Sequence, residues 1–248
     1  MAHHPLSVQL WSVRDRIADD RDGVLRRIAQ IGYGAVEPYN PLDDPKGFRQ
    51  VADDLGLAIS SVHAGALVRQ EPGPVFEAVA TLGTGLVIVP AGIPEDEFTT
   101  RDGVARAADL LSGLSEQAAG YGLRLGYHNH WWEFEPLLDG VHAYEVLAGL
   151  TAPEVFYEVD TYWAAVGGAQ VPDVLRRLGD KVLALHVKDG PVAKDQPHTA
   201  VGKGVMPVPE VLAASPDAWR IVELDSCATD IFDALADSYS YLTGLEPR

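Results

Sequence analysis

Candidate metal ligands stand at the ends of four separate apolar segments in the second half of the chain. Each segment is rich in Val, Leu, Ile and Tyr, and a helix-like stretch separates it from the next. Carboxylates combined with an imidazole suit Mn²⁺, Mg²⁺, Co²⁺ or Zn²⁺, and we expect Mn²⁺ foremost. The sequence is therefore interpreted as that of a metalloenzyme. The predicted ligands are Glu133, Asp160, His186 and Glu223.

Eight short apolar runs alternate with amphipathic stretches along the chain, which predicts an α/β fold of the (β/α)₈ TIM-barrel type. The 248 residues match one such barrel, and no linker divides them, so a single domain over 1–248 is predicted. An open doubly wound sheet is the alternative, but no Gly-rich dinucleotide-binding turn follows the first run. The runs predicted as strands are Leu6–Leu10, Ala35–Tyr39, Ala58–His63, Leu86–Pro90, Leu123–His130, Val155–Asp160, Val182–Lys188 and Arg220–Leu224.

Polar residues occupy nearly every predicted strand end, where the active site of a TIM barrel lies. Burying many ionisable groups costs several kcal/mol each unless they are paired or bound to metal. Glu158 and Asp225 are expected to support the site or cap a loop, and His142 and His198 to be ordinary surface histidines. The residues predicted to bind substrate are Gln9, Trp11, Glu37, His63, His128 and Asn129.

Proton transfer is assigned to Glu223, Lys188 and His130, which stand at or beside the predicted ligands. A metal that chelates a hydroxyl and the adjacent carbonyl of a substrate would acidify the proton α to that carbonyl. The same cation would lower the pKa of Lys188, although an ion pair with Asp160 or Asp189 is an equally weighted alternative. The tryptophans near these positions are candidates to stack on a face of the substrate. Alternatively, they pack against a neighbouring subunit or in the core.

Composition narrows the partners to small molecules. The formal net charge of -17 argues against nucleic acid and against anionic membrane surfaces, which both select basic patches. Few basic residues near the strand ends favour a substrate without phosphate groups. The single cysteine, Cys227, fits a reducing cytoplasm. The sequence is compatible with a homo-oligomer.

These residues give the chain a resemblance to the xylose isomerase-like TIM-barrel superfamily, the sugar phosphate isomerase/epimerase group. The resemblance implies a divalent metal held by Glu, Asp, His and Glu from strands five to eight, and the last three match Asp160, His186 and Glu223. Gly126 stands where ketose epimerases carry the first glutamate, so Glu133 is inferred instead, with His128 or His130 as alternatives. The motifs are Val8–Arg14, Gly32–Glu37, Ser61–His63, Tyr127–His130, Val159–Trp163, Leu185–Asp189, Gly202–Gly204 and Ile221–Asp225.

The resemblance implies an isomerase or epimerase that enolises a sugar, cyclitol or 3-keto-glycoside next to its carbonyl. Gly126 argues against ketose 3-epimerase activity, and the Tyr127–His130 motif resembles the inosose dehydratase-like and 3-keto-glycoside branch. A dehydratase or lyase that shares the enolisation step is therefore the first alternative. A metal-dependent phosphodiesterase is disfavoured by the net charge. A catalytically inactive sugar-binding barrel is disfavoured by the retained Asp, His and Glu.

Overall fold

The computed structural model describes residues 4–245 and contains a parallel barrel surrounded by helices. Within the described residues the barrel sheet has the order β3-β2-β1-β11-β10-β9-β6-β5-β4. The strands are β1 Ser7–Gln9, β2 Ala35–Glu37, β3 Ala58–Ile59, β4 Val62–His63, β5 Leu86–Val89, β6 Arg124–His128, β7 Leu137–Leu138, β8 Val141–His142, β9 Phe156–Asp160, β10 Val182–Val187 and β11 Trp219–Val222.

The barrel closes through its third strand, which is interrupted at Ser60 and Ser61. The first piece, β3, pairs with β2, and the second piece, β4, pairs with β5, so the two ends of the sheet belong to one predicted strand. All eight predicted runs overlap a barrel strand, and the predicted TIM barrel is confirmed. The short antiparallel hairpin of β7 and β8 was not predicted from the sequence.

Helices follow the strands and cover the outside of the barrel. Gly56 and Gly83 end two of them with φ of 69° and 81°, a left-handed conformation that glycine adopts without strain. The helices are α1 Arg14–Ile17, α2 Arg21–Ile31, α3 Pro45–Leu55, α4 Pro72–Leu82, α5 Arg101–Ala119, α6 Ala143–Leu150, α7 Thr161–Val166, α8 Val171–Leu178, α9 Val208–Ala214 and α10 Ile231–Gly244. From residue 4 to residue 245, every helix is too short or too polar to cross a membrane.

Gly126 on β6 lies against a side chain of the neighbouring strand. It pairs in register with Phe156 of β9, and it shares a strand face with His128, two residues further along. A Cβ built on Gly126 would lie 2.5 Å from two carbons of the Phe156 ring. The missing side chain therefore makes room for an aromatic ring in the layer below His128.

Substituting Gly126 with Ala should destabilise the protein by about 1–3 kcal/mol, because the added methyl overpacks the contact with Phe156. Gly113 is the control, since it lies on the exposed side of α5 with no atom within 4 Å of its added Cβ. Gly113→Ala should stabilise by about 0.5–1 kcal/mol through helix propensity. Urea unfolding measures both changes, and equal stabilisation by the two substitutions would contradict this packing.

Candidate active site

Three histidines from different strands surround the carboxylate of Glu158 at one end of the barrel. Glu158 Oε2 lies 2.6 Å from His63 Nε2 and 3.0 Å from His128 Nδ1. His186 Nε2 lies 3.2 Å from the same oxygen. All four side chains are buried. Glu158 was expected only to support the site, yet it is the centre of this group.

A second group, further along the same strands, joins three of the predicted metal ligands. His186 Nδ1 lies 2.7 Å from Glu223 Oε2. His128 Nε2 lies 3.9 Å from Asp160 Oδ2. One ligand atom from each of His128, Asp160, His186 and Glu223 can be chosen so that all lie within 4.8 Å of one another, close enough to share a metal ion.

Asp160 is held in place by its own strand end and by Asn129. Its Oδ1 accepts a hydrogen bond of 2.8 Å from the backbone N–H of Trp163 and so caps α7. The Asn129 amide accepts from the Asp160 N–H at 2.9 Å and donates to the Asp160 carbonyl at 3.1 Å. Asn129 is fully buried and bonds to backbone, so the structure does not bring it to the substrate pocket as predicted.

Glu133, the first predicted ligand, lies outside both groups. Its Oε1 accepts from the Tyr127 hydroxyl at 2.7 Å, and its Oε2 accepts from the His130 backbone N–H at 2.8 Å. The turn after β6 thus folds the carboxyl group back onto its own loop. Burial raises the pKa of Glu133 to about 8. His128, one of the alternatives named for this ligand position, is a member of the group instead.

Gln9 and Glu37 lie beneath the pocket rather than on its wall. Glu37 Oε2 accepts from Gln9 Nε2 at 2.7 Å and faces His186 Nε2 at 2.7 Å. The Ser61 hydroxyl donates to the other oxygen of Glu37. All these groups are buried, and of the two predicted substrate-binding residues Glu37 contacts His186 directly while Gln9 holds Glu37. A carboxylate placed in this way fixes the tautomer of a metal-ligating histidine.

A pocket of about 290 Å³ opens over the two groups. Trp11 and Trp163 form aromatic walls of the pocket. The imidazoles of His63 and His128 also line it. Three of the predicted substrate-binding residues, Trp11, His63 and His128, therefore line it. The pocket also reaches the three residues predicted to transfer protons, which are His130, Lys188 and Glu223.

Lys188 is surrounded by carboxylates on its side of the pocket. Its Nζ lies 2.8 Å from Asp160 Oδ2, 2.6 Å from Glu223 Oε2 and 2.6 Å from Asp225 Oδ2. Burial lowers the pKa of Lys188, but these carboxylates outweigh it, and the pKa lies well above its ordinary value. The structure therefore contains the alternative ion pair with Asp160, while the lowered pKa, which was expected beside a bound cation, stays a prediction.

Asp189, the other expected partner of Lys188, organises the following loop instead. Its two carboxylate oxygens accept hydrogen bonds from backbone N–H groups at 2.8–3.1 Å. His198 in this loop is buried, so the prediction of a surface histidine was wrong. Its Nδ1 accepts from the Asp225 N–H at 3.2 Å, and its ring contacts Tyr162. The loop thereby closes over the side of the site that holds Asp225.

His130 is a neutral imidazole with an unused ring nitrogen. Its ring stacks on Trp132 with centroids 4.1 Å apart. Its Nδ1 is buried and has no hydrogen-bond partner among residues 4–245. Burial, followed by the charge of Lys188, lowers the pKa of His130 to about 4. A pKa this low keeps the imidazole uncharged at neutral pH.

Comparisons with known proteins agree with this architecture. Residues 25–215 match the model of a family described as xylose isomerase-like TIM barrel. The chain is similar to an inosose dehydratase from Geobacillus kaustophilus (strain HTA426), with 24% identity over 200 residues. That match covers 68% of this chain and 62% of the relative, so the chain spans less than two thirds of the relative's length.

Solved structures share the fold over nearly the whole chain. A sugar phosphate isomerase/epimerase from Parabacteroides distasonis ATCC 8503 has a TM-score of 0.82 and 23% identity, and the match covers 99% of this chain and 95% of that one. A probable 3-DHS dehydratase from Bacillus anthracis has a TM-score of 0.75 and 13% identity, with 98% and 100% covered. At these identities the likenesses show a common fold.

Replacing Glu133 with Gln should leave metal binding unchanged and alter how stability depends on pH. In the unfolded chain the carboxyl group loses its proton near pH 4.3, whereas in the folded protein it keeps the proton until about pH 8. The wild type therefore loses stability as pH rises between these values, and the Gln variant does not. We expect the variant to gain on the order of 4 kcal/mol over the wild type from pH 5 to pH 8.5.

Chemical unfolding at the two pH values measures this difference, and Glu116→Gln on the exposed surface of α5 is the matched control. Parallel pH dependence of the Glu133→Gln variant and the wild type would show that Glu133 is not held protonated in the fold. Loss of metal binding in the same variant would restore Glu133 as a ligand.

Proposed function

The chain belongs to the xylose isomerase-like TIM-barrel family, and on this basis we propose that it is a divalent-metal-dependent isomerase or epimerase. It acts next to a carbonyl of a sugar, cyclitol or 3-keto-glycoside. The observation that carries the proposal is the grouping of Asp160, His186 and Glu223 beside the pocket. Their ligand atoms, together with one from His128, lie within 4.8 Å of one another.

The residues present fit a divalent cation. Two carboxylates and an imidazole are suitable donors for Mn²⁺ foremost, and also for Mg²⁺, Co²⁺ or Zn²⁺. The Glu37 carboxylate beneath His186 leaves the Nδ1 of that ring available on the side of Glu223. When bound, such a cation supplies a Lewis acid for the substrate carbonyl.

The protein's own groups would move the protons. His130 is neutral and has an unused ring nitrogen, so it is our candidate to accept the proton α to the carbonyl. Glu223 lines the pocket and is the candidate for the second acid/base group of an epimerase. Lys188 keeps its charge and stabilises the oxygen anion that develops on the substrate.

Dehydration or lyase chemistry on the same substrates is the second candidate function. It is favoured by the similarity to an inosose dehydratase, and it shares the removal of a proton α to a carbonyl. The two reactions differ in the next step, because a dehydratase protonates a departing hydroxyl instead of a carbon. The charged Lys188 would be the acid in that case.

Proton exchange at carbon tests the proposed function. Protein loaded with Mn²⁺ is incubated in D₂O with ketoses, inososes and 3-keto-glucosides, and the mixture is followed by NMR. We expect deuterium α to a carbonyl, loss of exchange on adding EDTA, and a product that distinguishes epimer, isomer and alkene. Absence of exchange with metal bound contradicts the proposal. Hydrolysis of a phosphodiester by the same sample would identify a phosphodiesterase, and binding without turnover an inactive barrel.

Amide substitutions at the proposed ligands test the metal group itself. Asp160→Asn and Glu223→Gln each remove one anionic donor while preserving shape, so each should weaken Mn²⁺ binding by at least about tenfold. Isothermal titration measures the affinity, and Glu116→Gln is the control. Unchanged affinity in both variants would mean that the cation binds elsewhere.

A further inference from the structure

We propose a second, inner divalent-cation site formed by His63, His128 and Glu158. It is separate from the outer group of Asp160, His186 and Glu223. The inference extends the proposed metal dependence from one cation to two. A set of two imidazoles and one carboxylate suits Zn²⁺, Co²⁺ or Fe²⁺ and leaves positions open for other ligands.

The inner residues converge on one point from three strands. His63 Nε2 and His128 Nδ1 approach the same oxygen of Glu158, at 2.6 and 3.0 Å. The two rings are 4.9 Å apart between centroids and inclined by 61°. Ligand atoms of these three residues and of His186 lie within 4.8 Å of one another.

His128 and His186 lie between the two sites, and each ring has one nitrogen turned toward one of them. His186 has Nδ1 beside Glu223 and Nε2 beside Glu37, so with its proton on Nε2 it serves the outer cation. His128 has Nδ1 beside Glu158, so it serves the inner one. Each imidazole then binds a single cation in its neutral form, and no ring has to lose its second proton.

Charge balance also accommodates a second cation. Among residues 4–245, close contacts connect five carboxylates with the ammonium of Lys188. With neutral histidines this leaves four net negative charges, which are costly in a buried site. One divalent cation halves that charge, and a second cancels it. The carboxylates are those of Glu37, Glu158, Asp160, Glu223 and Asp225.

An unused oxygen of Glu158 is the second observation that points to a ligand. Oε1 is buried and has no hydrogen-bond partner among residues 4–245, although Glu158 is fully inaccessible to solvent. Such an atom destabilises the fold when it stays unsatisfied. His63 and His128 both line the pocket, so a cation could enter and could meet substrate oxygens there.

The stoichiometry of metal binding tests the inner site. Protein stripped with chelator is equilibrated with Zn²⁺, passed through gel filtration, and its metal content measured by mass spectrometry. The inner variants are His63→Asn and Glu158→Gln, and the outer variant is Asp160→Asn. His142→Asn is the control, because this half-buried histidine lies away from both groups. Unfolding curves in chelator verify that each variant folds.

We expect two equivalents in the wild type and in the control, and one equivalent in each inner variant and in the outer variant. A single wild-type equivalent that is lost in Asp160→Asn but retained in both inner variants overturns the inner site and leaves the proposed function standing. A single equivalent that is lost only in the inner variants supports the inner site and contradicts the proposed outer ligands. Absence of binding in the wild type overturns both.

Discussion

Negative charge buried at one rim of the barrel is the constraint on which the rest of the site depends. Glu37, Glu158, Asp160 and Glu223 are all almost inaccessible to solvent, and an isolated buried carboxylate would be strongly destabilising. Lys188 and a protonated His186 compensate this charge. Burial lowers the pKa of His186, but the carboxylates of Glu158, Glu223 and Glu37 outweigh it and the net shift is upward. A bound cation would replace this compensation with a fixed charge.

The barrel meets the constraint because parallel strands bring distant residues to one rim in a defined register. His128 pairs opposite Glu158, and His186 opposite Asp160. Hydrogen bonds to the backbone then fix the side chains. Asp160 caps α7, and the Asn129 side chain accepts a hydrogen bond from the Asp160 N–H at the end of β9. The polar layer beneath, built on Glu37, holds His186 from the opposite side. These contacts give the side chains of the site defined positions, which favours tight and selective binding.

Sequence patterns predicted the strands well because strand formation depends on the pattern of apolar residues within each short segment. Apolar runs of strand length between amphipathic stretches are compatible with few folds. Every predicted run overlaps a strand. The convergence of Asp160, His186 and Glu223 followed from the fold alone, since each stands at or just beyond the carboxyl end of its strand. Glu158 could also have been found, because it shares a strand face with Asp160.

Depth in the barrel and the paths of loops could not be predicted in the same way. Gln9 and Glu37 stand at strand ends, yet the stagger of the strands puts them below the pocket. Glu133 had the right chemistry for a ligand, but its loop turns it toward the Tyr127 hydroxyl. His198 is buried because a loop ordered by Asp189 folds over the site. These outcomes depend on contacts between residues far apart along the chain.

Anomalous diffraction from crystals soaked in Mn²⁺ would test most directly whether the buried carboxylates are a metal centre. Data collected on either side of the manganese absorption edge locate the ion without reference to activity. We predict a peak bonded to Asp160, His186 and Glu223. A fully soaked crystal with no peak among these residues, or with its peak at Glu133, would contradict the account.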